Sequence, residues 1–139
     1  MRYIYYRYKP YIPALCMLLL GIMIYLLYRP HSLLGFKIID ALGLNYIIDS
    51  FRLSFPKISF PPFVINSLPA GLWTASYLIM MCSSTKLHSR KVRLMLALPL
   101  PISAIILEFM QLLGWCPGTF DLYDLICYII PLIIFIKSV

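Results

Sequence analysis

Residues 92–136 form two apolar runs, each long enough to cross a bilayer, joined by the short turn Trp115-Cys116-Pro117-Gly118. Only a helical hairpin in lipid, or one buried in a large core, accommodates such a pair. Three of the chain's five acids, Glu108, Asp121 and Asp124, flank that turn together with Gln111. Folding the chain about Cys116 sets Glu108 level with Asp124 and Gln111 level with Asp121. Within each helix the two residues stand three apart and share a face. If those faces meet, three acids and an amide converge just inside the outer end of the hairpin. Ionisable groups within apolar spans are costly, so they mark a candidate functional site.

Composition excludes the large soluble core. Hydrophobic residues make up 62% of the 139 and charged residues 12%, against ~45–50% and ~25% in soluble domains. The expected class is therefore an all-α integral membrane protein, built as a single domain over 1–139. The formal charge of +7 does not point to nucleic acid, because the basic residues are dispersed over loops between apolar spans. They serve as topology signals and contacts to anionic headgroups. Cys16, Cys82, Cys116 and Cys127 form no C-x-x-C pair, which leaves neither a disulfide framework nor a metal motif.

In chain order, Arg2, Arg7 and Lys9 stand among tyrosines suited to the headgroup interface, and a first span follows at 11–28. At 1.5 Å per residue this helix is ~27 Å long. No small-x-small cleavage site follows it, so it reads as a retained helix rather than a signal peptide. Residues 31–61 carry Lys37, Asp40, Asp49 and Arg52 amid apolar positions, which suits an interfacial or re-entrant segment better than a span. Prolines make 54–61 extended. A second span is expected at 62–82, with Ser67 as a helix cap beside Asn66. The third, 92–113, should kink at Pro99 and Pro101. The fourth, 119–136, opens on Gly118-Thr119 with Asp121 in its first turn.

Four transmembrane helices with the N-terminus inside put eight Lys and Arg on the cytoplasmic side and four, Arg29, Lys37, Arg52 and Lys57, outside. The positive-inside rule then sets both termini in the cytoplasm and turns the acid cluster outward. Ionised carboxylates at that depth need relief: a shared proton, a counter-ion such as Arg29 or Arg52, or a bound cation. The plain alternative is a polar clasp, with Gln111 bonded to Asp121 and Glu108 paired with Asp124, although interhelical hydrogen bonds contribute only ~1 kcal/mol. Asp121-x-x-Asp124 matches half of the motif with which CDP-alcohol phosphatidyltransferases hold Mg²⁺, but the completing glycine, arginine and aspartates are missing. His31 and His88 fall on opposite sides, and no serine-histidine pair or phosphate loop exists.

The pattern Glu108-x-x-Gln111 followed by Gly118-Thr119-Phe120-Asp121-x-x-Asp124 resembles the VanZ-like family of small bacterial membrane proteins, as does Tyr28-Arg29-Pro30 after the first helix. Some relatives carry an acid where this chain has Ala70, and Tyr128 and Pro131 stand where an asparagine and a glycine are common, so the resemblance is to a divergent member. It implies a bacterial inner-membrane protein with a cell-envelope role. The family takes its name from a protein linked to low-level resistance to the glycopeptide teicoplanin.

The expectation is thus an outward pocket of Glu108, Gln111, Asp121 and Asp124, lined by Asn66 and Ser67, with Arg29 or Arg52 as counter-ions. It would bind or move an amphiphilic envelope molecule such as a lipid or glycolipid, without a cofactor. The alternatives are a divalent-cation-dependent membrane enzyme acting on a lipid phosphate, with Glu108, Asp121 and Asp124 on the metal, and a structural subunit that docks a partner membrane protein. A bundle this small is also suited to form a homodimer.

Overall fold

The computed structural model describes residues 11–56 and 58–139. Arg2, Arg7, Lys9, their neighbouring tyrosines and Lys57 lie outside the described residues. Eight helices and no strand occur among the described residues: α1 (Tyr11–Tyr28), α2 (Leu34–Ala41), α3 (Asn45–Ser54), α4 (Pro62–Asn66), α5 (Leu68–Ser84), α6 (Arg90–Ala97), α7 (Pro99–Leu112) and α8 (Leu122–Ser138). One of them, α1, is long and apolar enough to cross a membrane. The bent pair α6–α7 makes a second if it counts as one span. Helices α5 and α8 have 17 residues each, ~25 Å.

Helix α5 is the centre of the molecule, packed on α1 along one side and on α8 along another. Small residues allow both approaches. A Cβ at Gly21 of α1 would stand 2.5 Å from Trp73 Nε1, and one at Gly71 of α5 would stand 3.0 Å from Cys127 Cβ of α8. Between α1 and α5, the buried Ser76 hydroxyl donates to the Ala14 carbonyl at 2.7 Å, and the Tyr11 and Ser84 hydroxyls meet at 3.2 Å. The pairing of Gly21 with Trp73, Ala14 with Ser76 and Tyr11 with Ser84 makes α1 and α5 antiparallel. Helices α5 and α8 run parallel, since Ser67 meets Asp121 at one end and Leu78 packs with Phe135 towards the other.

The expected kink falls at Leu98, where α6 and α7 meet at 42°. Pro99 opens α7 because it has no N–H for the Met95 carbonyl four residues back and its ring clashes with that carbonyl, which breaks the ladder between α6 and α7. Residues 31–61 form no single continuous helix among the described residues. They make α2 and α3, a turn at Gly43 (φ +69°) and an extended return through Phe55 and Pro61. Aromatic stacking fastens this segment to the end of α1: Phe36, 1% exposed, lies between Tyr25 (5.3 Å between centroids) and His31 (4.9 Å). His31 also reaches Asp49 at 3.3 Å.

Two boundaries differ from the sequence expectation. The stretch expected as a second span, 62–82, is broken at Ser67, which takes a helical backbone but makes no side-chain cap. The fourth helix begins at Leu122, not near Thr119. Its N-cap is Asp121, whose Oδ1 accepts from the Tyr123 N–H at 2.8 Å. A carboxylate at that position satisfies an otherwise orphaned amide and favours the dipole. Helix α7 ends in a Schellman turn: Gly114 (φ +72°) donates to the Gln111 carbonyl and Trp115 to that of Met110. The connection therefore runs over 113–121, longer than the four-residue turn read from the sequence.

Candidate polar site

The longer connection shifts the facing register. Glu108, in the last turns of α7 and 7% exposed, takes its hydrogen bond from Asp121 and not from the Asp124 side: its Oε2 accepts the Asp121 backbone N–H at 3.3 Å. Gln111 does not bond Asp121. Its amide lies over Gly118, where a Cβ would stand 2.6 Å from Gln111 Nε2. Gly118, at φ +132°, is thus required both by its backbone and by this close approach.

Ser67, freed from capping and fully buried, turns its hydroxyl between the two aspartates. It lies 3.4 Å from Asp121 Oδ2 and also acts on the Asp124 carboxylate. One hydroxyl hydrogen serves one carboxylate at a time. Asp124 Oδ1 is buried without a partner.

Arg29 and Arg52 divide their tasks. Arg29, just past the end of α1, donates from Nη1 to Asn66 Oδ1 at 2.8 Å and acts electrostatically on Asp124. Its Nε is buried and unpartnered. Arg52 is placed away from the acids. It donates from Nε to the Leu26 carbonyl and from Nη2 to the Arg29 carbonyl, both at 2.6 Å, and lies 4.8 Å over the Phe36 ring. Its charge therefore satisfies orphan carbonyls at the C-terminal end of α1.

Arg29, Asn66, Ser67, Glu108, Asp121 and Asp124 thus come together at one end of the bundle, while Arg52 and Gln111 frame it. Tyr128 belongs to the same group, for its hydroxyl feels the charges of Asp124, Glu108 and Arg29. Its position four after Asp124 on one helix face was the signal that could have found it. Among the described residues no three of His, Cys, Asp and Glu stand together as a set that could hold a metal ion. Within this group Glu108 accepts from a backbone amide, and Asp121 is divided between its cap and Ser67.

Compared with known protein families, characterised proteins and solved structures, the chain matches none of them.

Proposed function

We propose that the chain is a VanZ-like, four-span protein of the bacterial inner membrane, whose outward-facing polar site binds or moves an amphiphilic envelope molecule. The membrane reading is supported by apolar faces turned outward on each long element: Leu15 and Leu19 on α1, Met80 on α5, Ile106 on α7, Ile130 and Ile134 on α8. Only 11% of the α1 span is buried inside the molecule, so a helix of this composition needs lipid rather than water around it. Helix α4 and the helical Ser67 prolong α5 towards the missing length. The site lies at the end opposite Lys86, Arg90, Lys91 and Lys137, which faces outward if the basic end is cytoplasmic.

One observation carries the ligand reading: Asp124 Oδ1 and Arg29 Nε, an acceptor and a donor, are both buried without partners in one cluster. Unmet groups of this kind cost ~1–3 kcal/mol each. A headgroup offering a hydroxyl or amine to Asp124 and an oxygen to Arg29 satisfies both. That chemistry describes a lipid or glycolipid headgroup, and a bearing on glycopeptide sensitivity follows if the ligand belongs to the cell wall.

Native mass spectrometry of the detergent-purified protein tests this. Wild type should retain an amphiphile that Asp124→Asn and Arg29→Gln both lose, with melting temperatures unchanged or raised. Retention of the same amphiphile by both variants, or its absence from wild type, refutes the pocket. A structural subunit is the second reading, favoured by Asp121, whose carboxylate caps α8 and ties it to α5.

A further inference from the structure

A second cavity, of about 400 Å³, lies at the C-terminal end of α1 and is walled by none of the acid-cluster residues. Leu27 and Tyr28 of α1, Arg52 of α3, and Phe55, Ile58 and Ser59 of the extended return line it. That volume falls within the roughly 300–1,000 Å³ of sites that hold small organic molecules. Aromatic contacts on both sides hold the return in place. Phe60 stands edge-on to Tyr28 at 5.4 Å between centroids, and Phe55 packs on Phe51 at 4.7 Å.

Arg52 supplies the charge in this wall. A guanidinium carries five N–H donors in a planar fork. Two bonds, from Nε and Nη2, go to the Leu26 and Arg29 carbonyls, while Nη1 has no partner and, unlike Arg29 Nε, is not enclosed. Those carbonyls carry only partial charge, so the positive charge of Arg52 is not neutralised by them. No acid lines the cavity among the described residues, and Asp49, one turn earlier on α3, faces His31. Ser59 is exposed and makes no hydrogen bond among the described residues. The depth of the site selects the oxyanion. Leu26 and Arg29 mark the place where the apolar run of α1 ends. In the membrane reading, on which the lipid identity rests, headgroup phosphates lie at that level.

We infer that this cavity binds one phospholipid of the outer leaflet by its phosphodiester, with phosphate oxygens on Arg52 Nη1 and the Ser59 hydroxyl. The glycerol end of the acyl chains lies against Leu27, Phe55 and Ile58. Arginine holds phosphate through parallel N–H donors, and the apolar lining accepts what a free phosphate lacks. Arg52 is the only charged residue in the described wall, so the head alcohol is not read. Zwitterionic and anionic phospholipids should bind alike.

The full-length, detergent-purified protein tests the inference by titration with phosphatidylcholine, phosphatidylglycerol and diacylglycerol of identical acyl chains, and with glycerophosphocholine. Native mass spectrometry and thermal shift give the readouts. Both phospholipids should be retained and should raise the melting temperature. Diacylglycerol, which lacks the phosphate, and glycerophosphocholine, which lacks the chains, should each bind at least about tenfold more weakly. Substituting Arg52 would also free the α1 carbonyls, so Ser59 is the position to change. Ser59→Asp sets a carboxylate beside the guanidinium and should weaken both phospholipids about tenfold. The melting temperature of the lipid-free protein should stay the same, because Ser59 has no bond to lose. Ser59→Asn, which keeps a donor, should retain both lipids. Diacylglycerol binding as tightly as the phospholipids, glycerophosphocholine doing so, or phospholipid binding that survives Ser59→Asp overturns the site. Carbonate extraction of membranes from expressing cells tests the underlying reading. Release of the protein overturns both, whereas a retained protein whose phospholipids survive Ser59→Asp overturns only this one.

Discussion

Replacing Arg52 by Met removes a guanidinium and keeps an apolar stem of similar length. Two hydrogen bonds of 2.6 Å go with it, to the Leu26 and Arg29 carbonyls, along with the contact over Phe36. Hydrogen bonds from a charged donor contribute ~1.5–3 kcal/mol each when buried. These are partly buried, so the lower end applies to both, giving about 3 kcal/mol, and a part-exposed cation–π contact adds about 0.5–1 kcal/mol. Contacts kept by the Met stem offset some of this. The expected loss is about 3 kcal/mol, or roughly 10 °C in the melting temperature of a chain this size. Arg52→Lys should lose about half, because one ammonium does not reproduce the fork that reaches two carbonyls at once. Thermal melts in detergent of both variants, alone and combined with Phe36→Leu, supply the measurement. A loss below about 1 kcal/mol for Arg52→Met, the value of an ordinary surface pair, refutes the reasoning, and so does a Lys variant that melts with wild type.

Other substitutions test the packing around α5 by the same melts. Gly71→Leu should cost about 2–3 kcal/mol, since a Cβ there meets the Cys127 backbone as well as its side chain and α5 must move off α8. Gly43→Ala meets no atom within 4 Å, so its cost of about 1 kcal/mol should come from the left-handed backbone alone; Gly43→Asn should recover part of it. Trp73→Phe should change stability by no more than about 1 kcal/mol, because removing the buried, unpartnered Nε1 donor offsets lost packing. Asp121→Ala should cost about 1–2 kcal/mol through the lost cap, with Asp121→Asn close to wild type.

Helix positions were legible where the cause is local. The run from Tyr11 to Tyr28 holds no charge to interrupt it, and Pro99 sets the bend at Leu98 by sterics that act on its own neighbours. The start of α8 was misplaced for an equally local reason. Gly118-Thr119 has the composition of a cap, yet Gly118 is spent on a loop conformation pressed against Gln111, so the next suitable oxygen, that of Asp121, takes the cap. The central place of α5 depends on Gly21 and Gly71 meeting partners from distant parts of the chain, and no periodicity within α5 announces which faces those are.

The polar site shows the same limit with more consequence. Carboxyls within apolar runs are visible in any sequence, so Glu108, Asp121 and Asp124 could be gathered before a structure existed. Their unequal partners could not, because the partners depend on how 31–61 returns over α1. That return places Arg52 on helix carbonyls and leaves Arg29 as the cation acting on Asp124. The three acids therefore differ in what holds them. Asp121 bonds a backbone amide and faces Ser67, Glu108 accepts from that same connection, and Asp124 keeps a buried oxygen with no partner. A uniform clasp would make each acid stabilising. Here the group that ties the helices and the group with an unpartnered oxygen stand three residues apart, so Asp121→Ala should lower stability whereas Asp124→Asn should leave it unchanged or raise it.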